Sequence, residues 1–368
     1  MGIWGGTLEG LVMHQDFWRG KRVLITGHTG FKGAWLTIWL QKLGSLVTGV
    51  ALPPETTPSL FDLADVKKLC AASHFCDVQD FDSMNGVISN AQQPPEIVFH
   101  LAAQPLVRRS YRQPLTTFAT NVMGTANLLE VLCHINSVRV VVVVTTDKVY
   151  RNLEHCWPYR EGDALGGYDP YSASKAACEI VVDSYRDSFL RERSIAVATA
   201  RAGNVIGGGD WSEDRLIPDL IRAMDSKTKL KIRRPQAVRP WQHVLEPLHG
   251  YLLLAEKLWS NADYAGAYNF GPDTSSASSV AQVVDLSLQI NPHIQVEYAV
   301  EKVGPHEAGW LSLEIAKART VLGYRPCWDV VETVRRTMSW YESQRQGANA
   351  RELCWSEIQD YEQAISAI

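Results

Sequence analysis

Residues 26–33 read TGHTGFKG and end the short β-branched run that starts at Lys21. Gly27, Gly30 and Gly33 are spaced G-x-x-G-x-x-G. In this arrangement the first glycine permits a tight turn, the second lets the backbone approach a pyrophosphate, and the third lets a helix pack on the strand. The N-terminus of that helix offers amides and a partial positive charge to phosphate. Because the motif follows the first strand and opens the first helix, it predicts a dinucleotide-binding site.

Strands and helices alternate from the glycine motif to Gly203. Helical spacing runs over Ala34–Gly44, Asn121–Ile135 and Ser172–Arg191, and β-branched runs cover Val140–Thr146 and Ile195–Gly203. The alternation predicts an α/β fold, a Rossmann-type doubly wound parallel sheet with helices on both faces. Ligands of such sheets bind at the carboxyl ends of the strands.

The pattern changes after Gly203 to glycine-rich loops, shorter helices and mixed strands. We therefore expect a smaller C-terminal α/β domain that binds substrate. The expected organisation is an N-terminal extension (1–16), a Rossmann domain (17–202, with 236–262 returning to it), a substrate-binding domain (203–345) and a C-terminal helical tail (346–368).

Composition excludes several classes of protein. The net charge of −4 argues against a nucleic-acid protein held by a basic surface. The seven cysteines are scattered and form no C-x-x-C pair, which argues against a disulfide framework or a zinc site. The first residues lack the pattern of a signal peptide, and no apolar run has the length of a membrane span. We expect a cytoplasmic protein that binds no metal, nucleic acid or membrane.

We predict that two sets of polar side chains meet at the cofactor cleft. One is in the stretch YSASK, and the other follows the valine strand. The stretch YSASK places Tyr171 and Lys175 four residues apart at the start of a helix, and hence on one face. A nearby ammonium favours the phenolate, so we expect Lys175 to lower the pKa of Tyr171 and make it a general base. The five valines Val140–Val144 predict a buried strand, and Thr145, Thr146, Asp147 and Lys148 follow at its end.

An acidic residue that would select NAD is missing at the end of the second strand. That place holds Ala51 and Leu52, and Glu55 lies beyond two prolines. The choice between NAD and NADP therefore stays open on this feature.

Several longer stretches carry a family resemblance. TGHTGFKG, HLAAQPLVRRSY, TTDKVY, GGYDPYSASK, RAGNVIGGGDW, RPWQHVLEPL and YNFGP together resemble the extended short-chain dehydrogenase/reductase family from about Trp18 to Tyr341. Within that family, the chain looks most like dehydratases of nucleotide sugars. The resemblance implies a bound NAD held by the following residues: Gly27, Thr29, Gly30, Phe31, Lys32, Gly33, Asp77, Val78, Leu101, Ala102, Ala103, Gln104, Asn121, Thr145, Tyr171 and Lys175.

The resemblance also implies the reaction. CDP-glucose would become CDP-4-keto-6-deoxyglucose and water by C4 oxidation, C5/C6 elimination and hydride return to C6. Tyr171, assisted by Thr146 and Lys175, would take the C4 hydroxyl proton. Asp147 would be the acid at the C6 hydroxyl and Lys148 the base at C5. Since a direct ion pair would oppose both roles, we expect these two side chains to point to different parts of the sugar.

The substrate and the assembly follow from the same resemblance. The implied substrate-binding residues are Gln104, Arg108, Asn204, Arg215, Arg239, Asn269 and His306. The family forms homodimers through helices packed as a four-helix bundle, and some members form tetramers. The product would feed dideoxy-sugar synthesis for surface polysaccharides such as the lipopolysaccharide O-antigen.

Other readings stay open. They are a dehydratase acting on dTDP-glucose, GDP-mannose or a UDP-sugar, including the 5-inverting UDP-N-acetylhexosamine type, a nucleotide-sugar 4-epimerase, and a non-catalytic NAD-binding protein. Asp147 and Lys148 argue against an epimerase, which usually carries small residues there. The 24-residue separation of Asp147 and Tyr171 argues against the 5-inverting type.

Overall fold

A computed structural model describes residues 15–299 and 308–367. The central feature is a seven-stranded sheet in the order β11-β6-β5-β4-β1-β2-β3, in which every pair of neighbours is parallel. Its strands are Arg22–Thr26 (β1), Leu46–Ala51 (β2), Ala72–Phe75 (β3), Ile97–His100 (β4), Val140–Val144 (β5), Ala196–Ala202 (β6) and Gly266–Phe270 (β11). The predicted Rossmann-type fold class is confirmed.

Short strands form three further pairs among the described residues. They are Val205–Ile206 (β7) with Gln242–His243 (β10), Val238–Arg239 (β9) with Ser278–Ser279 (β12), and Lys229–Ile232 (β8) with Gln295–Tyr298 (β13). These pairs lie in the part of the chain expected to bind substrate.

Helices cover both faces of the sheet. The α-helices of the described residues are Gln15–Trp18 (α1), Phe31–Lys42 (α2), Leu60–Leu63 (α3), Phe81–Ser89 (α4), Val107–Arg112 (α5), Pro114–Phe118 (α6), Gly124–Leu132 (α7), Pro170–Tyr185 (α8), Leu216–Ser226 (α9), Leu245–Ser260 (α10), Val280–Ile290 (α11), Val330–Arg345 (α12) and Ala350–Ser366 (α13). Single 3-10 or π turns occupy Val66–Leu69, Ala119–Met123, Asp147–Val149, Arg186–Leu190, Ala262–Tyr264, Thr274–Ser276 and Ala318–Leu322. No helix in these described ranges combines the length and apolarity needed to cross a bilayer.

The valine run explains why β5 is a central strand of the sheet. Val140, Val142 and Val144 pack into the core on one face, and Val141 and Val143 pack into the core on the other. A central parallel strand is buried on both faces, so it reads as a continuous apolar run. The strand stops at Val144, two residues earlier than predicted, because Thr146 is the N-cap of the following 3-10 turn.

The last helix and strand β11 complete the half of the molecule that holds the seven-stranded sheet. Strand β11 joins β6 at the edge of the sheet, beyond the segment 236–262 that was expected to return. Helix α13 packs on α2, and the indole nitrogen of Trp39 donates to Glu362 over 2.9 Å. The expected helical tail is therefore part of the core of this half, while the domain boundaries stay a prediction.

Candidate active site

The glycine motif builds the phosphate end of the site. Gly27 has a φ of +81°, and a Cβ placed there would lie 2.7 Å from the amide nitrogen of Ala102. A Cβ on Gly33 would lie 2.0 Å from the carbonyl oxygen of Gly27, so α2 could not pack on the turn. Gly30 is exposed, and a Cβ placed there would meet only the carbonyl oxygen of Gly27, at 3.4 Å. The motif therefore fits a dinucleotide. The backbone is closely packed at Gly27 and Gly33, and it is exposed at Gly30, where a phosphate would approach.

The polar side chains of the glycine motif turn in different directions. The Thr29 hydroxyl donates to the carbonyl oxygen of Leu52, and the His28 ring packs against Gly49 and hydrogen-bonds with Ser73 over 2.8 Å. His28 is buried, which lowers its pKa to about 4. Phe31 is half-buried at the start of α2. Lys32 lines the central cavity, where burial and the nearby Arg215 lower its pKa to about 7.

The loops after β3 and β4 hold the next group of predicted cofactor residues. Val78 is buried and Asp77 accepts a hydrogen bond from the Gln79 amide. Leu101, Ala102 and Ala103 follow β4 and are half-buried. These residues lie at the carboxyl edge of the sheet, which is where the resemblance requires them.

Gln104 and Asn121 act within the protein rather than facing the cavity. The Asn121 amide bonds the backbone of Gln104 on both sides and donates to Ser174. The Gln104 amide is bonded to Leu106 and Thr117. In this structure the polar atoms of the Gln104 side chain bond within the loop, and its predicted substrate contact stays a prediction.

Tyr171 and Lys175 come together because α8 begins at the right place. Asp169 caps the helix through the Ser172 amide, and Pro170 occupies the first turn. Both Tyr171 and Lys175 are buried. Burial raises the pKa of Tyr171 to about 12, against a hydrogen bond with Thr146 that lowers it.

Lys175 is held by the end of β5. Its Nζ donates to the carbonyl oxygen of Val144 over 3.0 Å, and burial lowers its own pKa. Burial dominates the pKa of Tyr171, and the expectation that Lys175 makes this phenol more acidic stays a prediction.

The acid–base pair stands at the end of β5 beside Tyr171. Asp147 is fully buried, and its Oδ1 accepts from Thr146 Oγ1 at 2.9 Å and from Lys148 Nζ at 3.1 Å. Its Oδ2 is buried and has no hydrogen-bond partner. The expectation that Asp147 and Lys148 point apart is wrong, since they form an ion pair. Tyr171, Thr146 and Asp147 thus form one continuous chain of polar groups.

A buried network supports this strand end. Glu179, one turn beyond Lys175, accepts from Thr145 Oγ1 at 2.5 Å and Thr199 Oγ1 at 2.6 Å. It also pairs with Arg201 through both Nε (3.0 Å) and a terminal nitrogen (2.9 Å). Sequence reasoning missed the pair, although a charged residue inside the apolar run of β6 was a signal for it.

A cavity of about 500 Å³ opens from this chain of polar groups toward α9 and β8. The predicted residues that line it are Lys32, Arg108, Thr145, Thr146, Asp147, Lys148, Tyr171, Asn204, Arg215 and Arg239. Sequence reasoning missed three cations in its lining, Lys231, Arg233 and Arg234. Arginine suits a diphosphate because its planar fork makes paired hydrogen bonds to phosphate oxygens.

Individual contacts orient the predicted substrate residues. Arg215 donates to Asp210 over 3.1 Å, and Arg239 donates to the carbonyl oxygens of Val238 and Ala308. Asn204 has a φ of +43°, and its side-chain oxygen is buried without a partner.

Besides Gln104, two further predicted substrate residues, Asn269 and His306, are not among the described lining of the cavity. Asn269 has no exposed surface, accepts from the Tyr150 hydroxyl, and donates to the carbonyl oxygens of Tyr159 and Glu314. In this structure its side chain joins loops, and its predicted substrate contact stays a prediction. His306 lies outside the described residues. Within residues 15–299 and 308–367 no cluster of three or more His, Cys, Asp and Glu could hold a metal ion.

Comparisons with known proteins agree with this arrangement. The model of the GDP-mannose 4,6 dehydratase family matches residues 24–337. A relative from Salmonella typhimurium strain LT2, CDP-glucose 4,6-dehydratase, is 44% identical over 361 residues, covering 96% of this chain and all of that protein.

Solved structures share the fold. An epimerase from Methanothermobacter thermautotrophicus has a TM-score of 0.75 at 21% identity, covering 93% of this chain and 98% of that one. The UDP-glucuronic acid 4-epimerase from Bacillus cereus, in complex with UDP-glucuronic acid and NAD, has a TM-score of 0.74 at 21% identity, covering 88% of this chain and 99% of that one. From the family match and the near full-length relative, the chain belongs to the GDP-mannose 4,6 dehydratase family of extended short-chain dehydrogenases/reductases.

Proposed function

We propose that the protein is an NAD-dependent lyase that converts CDP-glucose to CDP-4-keto-6-deoxyglucose and water. The observation that carries the proposal is the placement of Asp147 and Lys148 beside Thr146 and Tyr171 in the lining of an arginine-rich cavity. An epimerase or simple reductase has no step that needs such a pair. The 44% identical Salmonella protein, named CDP-glucose 4,6-dehydratase, supports the choice of nucleotide.

The glycine turn and the loops after β3, β4 and β5 would hold the cofactor. The bare backbone at Gly30 and the N-terminus of α2 suit its pyrophosphate, and Asp77 and Val78 lie where the adenosine half would end. When bound, NAD supplies the reversible two-electron oxidation of the sugar, so no external reductant is consumed.

Tyr171 is the group that takes the C4 hydroxyl proton. Its hydroxyl is already hydrogen-bonded with Thr146, which in turn donates to Asp147. Because burial raises the pKa of Tyr171 to about 12, the resting state is the neutral phenol. Deprotonation of the phenol therefore requires the positive charge of Lys175, whose ammonium is fixed one helical turn away by Val144.

The ion pair provides both groups that elimination needs. Transfer of one proton from Lys148 Nζ to Asp147 Oδ1, across the 3.1 Å contact, leaves a neutral amine and a carboxylic acid. The amine removes the C5 proton and the carboxylic acid protonates the departing C6 hydroxyl. The pair is then restored by the proton that the lysine gained, so no net proton is lost from the site.

Arg215, Arg239, Asn204 and Arg108 are the proposed substrate contacts. All four line the cavity, and the three arginines supply positive charge for the diphosphate. Lys231 and Arg233, which were not predicted, belong to the same lining.

The exposed apolar surface supports a homodimer. Leu115 on α6 is 83% exposed and Ile180 on α8 is 63% exposed, and these two helices contact each other. Met123 and Phe189, in the turns that flank α7 and α8, add further exposed apolar area. A second copy of this chain would cover the face by packing the same helices against one another, with a tetramer as the alternative.

The proposal also covers the compartment of the enzyme and the use of its product. Seven free thiols suit a reducing compartment, so we place the enzyme in the cytoplasm. Its product would enter dideoxy-sugar synthesis for the O-antigen of lipopolysaccharide.

The test is a side-by-side assay of CDP-, dTDP-, UDP- and GDP-glucose without added reductant. We expect the alkali-dependent absorbance of a 4-keto-6-deoxy product from CDP-glucose. Product from another nucleotide alone would contradict the choice of CDP, and no product from any of the four would contradict the dehydratase.

A further inference from the structure

Ion pairs connect three separate segments at the carboxyl edge of the sheet. Arg109 on α5 donates to both carboxylate oxygens of Glu55, at 3.0 and 2.8 Å, and to Glu213 at 3.2 Å. Arg112, one turn later, donates to the same Glu213 oxygen at 3.2 Å. One guanidinium thus joins the loop after β2 to the segment before α9.

The strand order fixes what lies beneath this bridge. Strand β1 lies between β4 and β2 in the sheet. Glu55 follows β2 and Arg109 follows β4, so a contact between them spans the carboxyl end of β1. That end carries the glycine turn, where the pyrophosphate of a dinucleotide binds. The Arg109–Glu55 contact therefore crosses the path along which a dinucleotide enters or leaves.

The other half of the bridge reaches the substrate side. Asp214, next to Glu213, accepts from Arg233 at 3.2 Å and lies 3.7 Å from Arg108. Arg108 and Arg233 both line the cavity. The segment of Glu213 and Asp214 thus pairs with Arg109 through one residue and contacts cavity-lining arginines through the other.

We propose that Arg109 is a cofactor-retaining residue that fastens the loop after β2 to the segment before α9 across the pyrophosphate site. This inference rests on the proposed function, because it assumes that a dinucleotide is bound. Its chemistry suits a coenzyme that is regenerated within each turnover and need not leave between cycles. Glu55 then acts by holding the bridge rather than by binding the ribose hydroxyls.

The experiment loads the full-length protein with a fluorescent NAD analogue. After mixing with excess unlabelled NAD, the change in fluorescence gives the rate at which the bound coenzyme leaves. Arg109→Ala is expected to release NAD about three- to ten-fold faster, the range that two exposed ion pairs support. Glu55→Gln and Glu213→Gln should each give part of that change. Salt should accelerate release from the wild type and have less effect on Arg109→Ala, because exposed pairs are screened.

Arg335→Ala is the matched control, since Arg335 pairs with Glu332 on the exposed face of α12. An Arg109→Ala release rate equal to that of the wild type, or equally accelerated release from Arg335→Ala, would overturn the inference while leaving the dehydratase intact. A wild-type protein that binds no NAD at all would overturn this inference and the NAD-dependent function together.

Discussion

The carboxylate of Asp147 lies directly against the α-carbon of Gly203. A Cβ on Gly203 would lie 1.9 Å from Oδ2 of Asp147, the one oxygen of that side chain that is buried without a partner. Gly203 follows strand β6 and Asp147 follows β5, so the ends of two neighbouring strands together place the carboxylate. The acid is thus positioned by a residue that carries no functional group.

Gly203→Ala should impair elimination by displacing the Asp147 carboxylate. A misplacement of about 1 Å can cost on the order of a hundred-fold in rate, and we expect a loss of that size in turnover with NAD still bound. Gly86→Ala on α4 is the control, because a Cβ there meets no atom within 4 Å. Wild-type turnover of Gly203→Ala would contradict the assigned position of Asp147.

Lys148→Met should separate oxidation from elimination. Methionine keeps much of the side-chain length but cannot remove the C5 proton, so reduced cofactor should accumulate on mixing with CDP-glucose while no 4-keto-6-deoxy product forms. Absorbance of the reduced nicotinamide and exchange of the C5 hydrogen with deuterated water measure the two steps. Lys68→Met alters an exposed pair with Asp65 and should leave both unchanged. Normal product formation by Lys148→Met would refute its role as the base.

Glu179→Gln should destabilise the protein by about 3–5 kcal/mol, because it leaves the buried guanidinium of Arg201 without its counter-charge. The free energy of unfolding in urea measures the loss. Asp16→Asn breaks one exposed pair, with Arg19, and should cost at most about 1 kcal/mol. Equal losses in the two variants would show that the Glu179 network contributes no more than a surface pair.

Stability should fall as the pH drops below about 6.5, because buried histidines must gain a proton on unfolding. Burial lowers the pKa of His249 to about 3, and His100 to about 3 as well. Between these values and 6.5 the unfolded chain binds more protons than the folded one, so acid favours unfolding. Burial raises the pKa of Glu246, three residues from His249, to about 7. Between pH 4.5 and 7 the folded chain holds more protons at this carboxyl than the unfolded chain, so the protein loses this contribution to its stability as the pH rises.

His249→Phe isolates the contribution of one of these rings. The ring lies edge-on to Tyr361, so phenylalanine keeps the packing and removes the titration. The variant should lose stability less steeply than the wild type between pH 6.5 and 4, by up to about 1.4 kcal/mol for each pH unit. Parallel curves of unfolding free energy against pH would contradict a neutral, buried His249.

Ile180→Glu should convert the proposed dimer to a monomer. It places a charge in the apolar face shared with Leu115, and burying an unpaired carboxylate at an interface is strongly unfavourable. Light scattering after size exclusion gives the mass. Val331→Glu changes a similarly exposed apolar residue on α12 and should not alter it. A wild-type protein that is monomeric at micromolar concentration would contradict the proposed assembly.

How much of the site can be predicted from the sequence depends on how far apart in the chain the interacting residues lie. The glycine turn, the Tyr171–Lys175 spacing and the polar end of β5 are local patterns, and the structure brings them to one edge of the sheet. The partners of Asn269 and Arg109 lie far away in the chain. Those of Gln104 are nearer, but no local pattern indicates which atoms an amide or guanidinium will meet. The ion pair of Asp147 and Lys148 was not predicted because adjacency in the chain does not fix the directions of two side chains.

Helix α13 has a consequence for how the protein is made. The indole of Trp39, near the beginning of the chain, is bonded by Glu362, and β11 at 266–270 supplies the outer strand of the sheet. A ribosome adds these pieces well after the glycine turn has emerged, at roughly 5–20 residues per second. The nascent Rossmann half must therefore wait with an uncovered apolar helix until synthesis reaches α13. Premature termination after α12 would yield a chain with every catalytic group and an unprotected, aggregation-prone surface.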